Sequence, residues 1–521
     1  MTLSLEDKIG QMLLVGFYGL EAPDYILEWL REGRIGGVIL FSRNVESPQQ
    51  VARLTQQIHE AAKYPALVAI DQEGGAVARL RHGFTESPGA MALSAAGNEK
   101  LAEQMACILG EEMKALGINW TYAPAVDISY NIDNPTVGTR SFGNDKEQVA
   151  IMTAATVRGF QIGGVAATAK HFPGLGNTAV DTHQELAVVG TSVEQVVIND
   201  LIPYRAAMHV GLASIMTTHT KFTALDTDYP ATLSPVIVKR LLREELGFNG
   251  AVCTDCMEMK AISNHYSAGE SAVLAALAGI DLILFSHTRT MQEAAYEGLL
   301  EAAQSGRVSL AMIDNANQRI AKLKEQYAVS DIDIGQIRNP DHLETADKAA
   351  HAGTVLLKSD DRVFPLKPET HTIALIEFAS YLDSEVLEEG GQTGLTKILA
   401  EAMPQIEMVT LKVSAASATS AIEGIDDEPL QKAQKLAAES DILVLATRNA
   451  HLWDAERQMA EDFISRAKQV ILLCLRNPYD ASVLDAGTVL CTLGDATPSL
   501  QAAVDALMGE FTPSGKLPVT L

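Results

Sequence analysis

Between residues 13 and 286 the chain repeats one pattern eight times: a short, continuously apolar run, then Gly or polar residues, then a longer amphipathic stretch. The runs are LLVGF (13–17), GGVILF (36–41), ALVAID (66–71), WTYAPAVDI (120–128), VAATAKHF (165–172), SIMTTHT (214–220), GAVCTD (250–255) and DLILFS (281–286). A strand with one wet face alternates apolar and polar residues, whereas a strand covered on both faces does not. Covered strands pair in parallel and need crossovers, and helical patterns at 97–115, 145–162, 234–246 and 268–279 supply them. Eight such units predict an α/β fold, a TIM-type (β/α)8 barrel, with tolerance for irregular early strands or one antiparallel or missing strand.

Ionisable side chains gather where these runs end. Asp71 closes the third, Asp127 lies near the end of the fourth, and Lys170 and His171 close the fifth. His219 closes the sixth, Asp255 the seventh, and Ser286 with His287 the eighth. A barrel brings these ends to one face, where the loops after the strands build the active site. One or two polar strand ends would mean only that chains turn polar where they leave a sheet; six with ionisable groups point to a shared site.

A chain of 521 residues exceeds what a single core usually supports. The segment QYAVSDIDIGQIRNPDHLETA (326–346) is polar and aperiodic and reads as a linker, which sets domain limits of 1–325 and 347–521. The second part has strand candidates at 372–378, 406–413, 441–448, 469–476 and 488–493, with helical stretches at 392–402, 428–439, 454–468 and 497–508. An open, mostly parallel α/β sandwich follows from that order. After its first strand comes ASYLDSE, with no glycine fingerprint for a nucleotide.

The net charge of −26 argues against nucleic acid or an anionic membrane as partner, because both require basic surface. No apolar run approaches the ~18 residues of a membrane span. The start, MTLSLEDKIGQMLLVGF, places an acidic pair before its apolar run, unlike a secretion signal. The five cysteines, at 107, 253, 256, 474 and 491, are odd in number and scattered, as in a reducing compartment. A cytoplasmic location is expected. Cys253 and Cys256 form one C-x-x-C pair, which offers two soft ligands where structural zinc needs four, so strand packing is the favoured role and no metal or cofactor is expected.

The segment KHFPGLGNTAVDTH (170–183) admits three chemistries. GLGNTA fits a dinucleotide loop, but Pro173 precedes it and VDTHQEL does not open an amphipathic helix. Asp181 and His183 could ligate a metal, but they lie two apart and Lys170 is a poor neighbour for a cation. An acid/base site asks for less: a Gly/Pro-rich loop over a pocket, a histidine, and a carboxylate that fixes its tautomer. Asp181 and His183 form such a dyad if the chain turns between them, with Gly174 and Gly176 giving the loop freedom to move.

The order and spacing of DQEGGAVARL (71–80), NPTVGTRSFG (134–143), KHFPGLGNTAVDTH, TDCMEMKAI (254–262), AGIDLILF (278–285) and the terminal GKLPVT resemble glycoside hydrolase family 3, in its β-N-acetylglucosaminidase branch, over nearly the whole chain. The resemblance implies a retaining hydrolase in which Asp255 is the nucleophile, His183 the general acid/base and Asp181 its dyad partner. It implies that Asp71 binds hydroxyls of the terminal sugar, with Arg79, Arg140, Lys170 and His171 at other sugar-binding positions; His219 is counted with them. The implied substrate is a small carbohydrate carrying β-linked N-acetylglucosamine, foremost a cell-wall muropeptide fragment and second a chitin oligosaccharide. A histidine acid does not repel an anion after giving up its proton, so inorganic phosphate is an alternative acceptor to water. The family's β-glucosidases and β-xylosidases lack the D-T-H loop. Many relatives read KHFPGHG where this chain has Leu175, and Cys256 and Glu258 beside the nucleophile are also less usual.

Overall fold

The computed structural model describes residues 3–178, 184–328, 332–379, 394–412 and 427–521, the last segment's first residue by its backbone alone. Each apolar run of the first part forms a strand: β1 Leu13–Val15, β2 Gly37–Leu40, β3 Leu67–Ile70, β4 Trp120–Thr121, β5 Thr168–Phe172, β6 Ser214–Thr217, β7 Ala251–Cys256 and β8 Leu282–Phe285. Their order in the sheet is β4-β3-β2-β1-β8-β7-β6-β5, and every neighbouring pair is parallel. Bridges Trp120–Ala166 and Ala125–Lys170 bring β4 back beside β5, so the sheet curls into a barrel. The tolerance for an antiparallel or missing strand is not needed. The run at 120–128 yields a strand of only two residues, because Pro124 has no N–H to give the ladder; pairing resumes where the Val126 amide donates to the Lys170 carbonyl at 2.7 Å.

The crossovers form where the amphipathic pattern lies and begin at polar caps. The Asn98 side chain accepts from the Leu101 amide to start Glu99–Ala115, Asp145 from Gln148 to start Lys146–Ile162, and Ser267 from Glu270 to start Ala268–Ala278. Side chains of the strands are buried on both sides, which is the physical reason their runs do not alternate.

Two register shifts interrupt the barrel ladder. Between Ala169 and Phe172, β5 has one residue more than its partner β6, and between Cys253 and Cys256, β7 has one more than β8. Both bulges lie at the C-terminal ends of their strands, around Lys170–His171 and around Asp255. A bulge breaks the two-residue alternation and re-aims side chains.

A helix, Pro340–Gly353, begins inside the stretch read as a linker. Asn339 caps it, and His342 Nδ1 lies 2.9 Å from Glu112 Oε1 on the barrel helix Glu99–Ala115. The second part is a six-stranded sheet in the order β9-β14-β13-β12-β10-β11, with β9 Val355–Lys358, β10 Ile373–Phe378, β11 Glu407–Leu411, β12 Ile442–Thr447, β13 Val470–Cys474 and β14 Thr488–Cys491. All pairs are parallel except the edge strand β9, antiparallel to β14, which sequence reasoning did not anticipate. Its half-exposed VLLK is too short and too wet to stand out. Helices Leu395–Ala402 and Thr497–Met508 cover one face, and Asp427–Glu439 and Asp454–Arg466 cover the other, where Met91, Ala92 and Ala95 of the barrel join the same core. Among the described residues no helix is long and apolar enough to cross a membrane.

Candidate active site

At the C-terminal end of the barrel a cavity of about 120 Å3 is lined by Asp71, Arg79, Arg140, Lys170, His171 and Asp255, among others. Lys170 and His171 are consecutive, and regular pleating would send them to opposite faces. The bulge in β5 lets both reach the cavity.

The charges on one wall are matched to each other. Lys170 Nζ lies 2.7 Å from Asp71 Oδ1 and 2.7 Å from Glu73 Oε1. Arg140 grips Glu73 bidentately, Nη2 to Oε1 at 2.7 Å and Nε to Oε2 at 2.9 Å, and its Nη1 donates to the Thr136 carbonyl. Arg79 Nη2 stands 3.7 Å from Asp71 Oδ2. Burial opposes ionisation of Glu73, but the charges of Arg140 and Lys170 outweigh it and hold the carboxyl well below the usual range. Burial likewise works against charge on Lys170, and the Asp71 and Glu73 carboxylates outweigh it and raise its pKa. Glu73, Lys170 and Arg140 are therefore ionised at neutral pH, and their pairing is in place before any ligand arrives.

Behind it, Asp127 holds His171. Asp127 Oδ2 accepts from His171 Nδ1 at 2.7 Å, while Oδ1 accepts from the amides of His171 and Leu175. A carboxylate can only accept, which assigns the ring proton to Nδ1 and leaves Nε2 as an acceptor, 3.4 Å from Arg140 Nη2. The same carboxylate thus fixes a histidine tautomer and the start of the loop after β5.

Asp255, on the bulged end of β7, faces the cavity, and its Oδ1 accepts from the Cys256 amide at 2.7 Å. His219 stands apart from the sugar-facing set in which it was placed. Its ring is fully buried and does not line the cavity; Nε2 lies 2.8 Å from the Cys256 carbonyl oxygen and Nδ1 lies 2.9 Å from Thr232 Oγ1. A carbonyl accepts only, so Nε2 carries a proton and braces β7 from behind. A strand end looks the same in sequence whether its side chain points into the cavity or between strands. Glu258 also lines the cavity, and it accepts from the amides of His287 and Thr288, at 2.7 Å and 3.0 Å, at the start of the helix Arg289–Gln304. Burial, and then the charge of Glu258, push the Cys256 thiol up to about 12, and burial raises the Cys253 thiol as well. Both C-x-x-C sulfurs are protonated packing groups. Among the described residues no group of three or more His, Cys, Asp or Glu side chains could hold a metal ion.

Asp181 and His183 lie outside the described residues. The approach to them is well tied. Asn134 Nδ2 donates to the Leu175 carbonyl and to Thr178 Oγ1, while its Oδ1 accepts from the amides of Thr136 and Val137. One side chain thereby joins the turn that carries Arg140 to the loop after β5. Gly176 serves close packing there, since a Cβ would collide with the Ile128 carbonyl. Beyond the turn, the second domain presses on the barrel: a Cβ at Gly138 would lie 2.7 Å from Asn477 Oδ1, and the Tyr479 and Ser129 hydroxyls are 3.3 Å apart. Sequence reasoning missed Glu73, noted Glu258 only as unusual beside the nucleophile, and placed Asp127 among the strand ends of the shared site without its role of holding His171. The only signal was position: Glu73 and Glu258 sit inside the quoted motifs, and Asp127 ends an apolar run.

Residues 4–323 match the glycosyl hydrolase family 3 N-terminal domain and residues 354–521 match the family's C-terminal domain. The chain is 38% identical over 291 residues to a beta-hexosaminidase of Stenotrophomonas maltophilia, an alignment that takes in 54% of this chain and 85% of that one. It is 28% identical to beta-hexosaminidase A of Pseudoalteromonas piscicida, over 96% of this chain and 91% of the other. Among solved structures, a family 3 beta-N-acetylglucosaminidase from Paenibacillus sp. str. FPU-7 superposes with a TM-score of 0.92 at 36% identity, covering 100% of this chain and 99% of that one.

Proposed function

The chain belongs to glycosyl hydrolase family 3, and from that premise we propose that it is a retaining β-N-acetylhexosaminidase that releases terminal N-acetylglucosamine from small carbohydrates. The observation that carries this reading is Asp255 on the bulged end of β7, facing a cavity that also presents Asp71, Lys170 and Arg140, pre-paired through Glu73 behind them. The similarity to a beta-N-acetylglucosaminidase over the full length supports it.

A glycosidic bond breaks through an oxocarbenium-like transition state. Asp255 attacks the anomeric carbon as the aglycone oxygen departs, and a covalent glycosyl-enzyme forms. His183, with its proton held in place by Asp181, protonates the leaving oxygen. It then takes the proton from an incoming water, which attacks the same carbon and frees Asp255. Two inversions give net retention. Asp71, Lys170 and Arg140 present charged hydrogen-bonding groups to the sugar hydroxyls, with Arg79 and His171 beside them. Cell-wall fragments are the proposed natural substrates and chitin oligosaccharides the alternative.

The test is turnover of an aryl β-N-acetylglucosaminide with and without inorganic phosphate, with the product followed by NMR. The expected product is free N-acetylglucosamine under both conditions, appearing first as the β-anomer. An α-anomer would end the retaining assignment, and N-acetylglucosamine 1-phosphate would make the enzyme a phosphorylase. Asp255→Ala is expected to abolish turnover; activity within tenfold of wild type would remove Asp255 from the nucleophile's role.

A further inference from the structure

The phenol of Tyr122 stands at the cavity wall without a task in the glycosyl-transfer chemistry. Tyr122 directly follows β4, and its amide donates to the Ile70 carbonyl at 2.9 Å. The ring packs edge-on against Trp120, with centroids 5.0 Å apart. The side chain is fully buried, yet Oη has no hydrogen-bond partner among the described residues. Buried phenols normally find a partner, because an unmade hydrogen bond costs stability. The lining groups around it differ in this respect: Asp71, Lys170, Arg140 and His171 are all engaged with each other or with Glu73 and Asp127.

Burial raises the Tyr122 pKa well above its ordinary value, and the Asp71 and Asp255 carboxylates add to it, so the hydroxyl keeps its proton and is a donor at any working pH. The fold thus holds a committed donor at the wall of a cavity that also presents Asp71 and Asp255. An apolar filler would serve packing against Trp120 equally well without the cost, and phenylalanine has the same shape.

We propose that Tyr122 is a substrate-contacting residue, whose hydroxyl donates a hydrogen bond to an oxygen of the sugar seated between Asp71 and Asp255. This rests on the hexosaminidase reading for the identity of the sugar, and on the cavity alone for the contact. The partner that the hydroxyl lacks among the described residues is then the ligand itself.

Tyr122→Phe deletes one oxygen and leaves the ring. The expected signature has two opposed parts. The kcat/KM on an aryl β-N-acetylglucosaminide falls by about 10–100-fold, the loss expected when one substrate hydrogen bond is removed. The Tm of the free protein stays equal or rises, because no described residue bonds to the hydroxyl in the free state. A kcat/KM within twofold of wild type overturns the proposal, and so does a Tm that falls by several degrees, which would show that Oη has a structural partner. If the wild-type protein hydrolyses no β-N-acetylglucosaminide, the functional reading fails instead. The contact is then read by thermal shift with N-acetylglucosamine, glucose and galactose: it stands if a sugar that raises the wild-type Tm raises that of Tyr122→Phe less, and falls if the shifts are equal or if no sugar shifts the wild type.

Discussion

Replacing Glu73 by Gln removes the charge that Arg140 and Lys170 share. The carboxylate takes two bonds from Arg140, at 2.7 Å and 2.9 Å, and stands 2.7 Å from Lys170 Nζ. At an effective dielectric of about 20, unit charges 2.7 Å apart attract by ~6 kcal/mol, against a desolvation penalty of several kcal/mol for each buried ion. Glutamine preserves the volume and one acceptor oxygen but no charge, so Arg140 loses its carboxylate while Lys170 keeps Asp71. Breaking one side of a buried pair costs ~3–5 kcal/mol, and the remaining Asp71 contact puts the expected loss near the lower end, about 3 kcal/mol. The assay is urea unfolding followed by fluorescence, in a Trp453→Phe background so that Trp29 and Trp120 report the barrel alone. The pH dependence carries a sign. The folded pKa of Glu73 is depressed, so its contribution is fully present above the ordinary glutamate value of about 4.3 and is lost only as pH falls below it. Wild type should therefore lose barrel stability below pH ~4.3 more steeply than Glu73→Gln. A destabilisation under ~1 kcal/mol at neutral pH, with parallel acid profiles, would refute the claim that this carboxylate holds the wall together.

The Asp200 carboxyl is raised to about 7 by burial and by the charge of Asp127, against a lowering hydrogen bond from Tyr130. The folded chain then holds a proton that the unfolded chain releases above pH ~3.9, so native stability falls between that pH and about 7. Asp200→Asn is expected to flatten that slope and to stabilise the protein at pH 8 by roughly 2–4 kcal/mol; an unchanged urea midpoint at pH 8 would count against it. Asn477→Ala removes the side chain that presses on Gly138, whose φ is +41°. Its KM for an aryl glycoside is expected to rise about tenfold, below the ~100-fold cost of a 1 Å misplacement, with little change in Tm. An unaltered KM would mean that the second domain does not help to place Arg140.

The fold was legible because its physics is local. Strands covered on both faces must read as continuous apolar runs, and their crossovers must be amphipathic, so eight units and their parallel pairing could be read without any contact information. Helical stretches at 97–115, 145–162 and 268–279 were read from their amphipathic pattern, and the caps at Asn98, Asp145 and Ser267 put their starts at 99, 146 and 268. The site was legible only in part, because its geometry depends on two bulges. Regular alternation would give one of Lys170 and His171 to the cavity, and the β5 bulge gives both. His219 shows the converse: a polar residue at a strand end that the β6 register points between strands, onto the Cys256 carbonyl. Glu73 and Asp127 were hard to find because their role is to hold other side chains, and a partner 67 or 44 residues away leaves no local trace.

The charge balance of the cavity bears on which acceptor would reach the proposed glycosyl-enzyme. In that intermediate Asp255 is esterified and carries no charge, so Arg79, Arg140 and Lys170 bring three positive charges to the lining and Asp71 and Glu258 bring two negative ones. Glu73, in contact with two of the cations, adds a third negative charge directly behind the wall. Counted with neutral histidines, the site carries no positive surplus, and it sits in a chain of net charge −26. A phosphate dianion entering it would have to draw Arg140 or Lys170 away from carboxylates at 2.7 Å. Water does not meet that obstacle, and neither does a neutral sugar, whose hydroxyls bond to ion pairs without separating them. These charges therefore argue for hydrolysis of a neutral terminal sugar. Arg79→Ala, which removes one cation from the lining, should leave that preference for water intact.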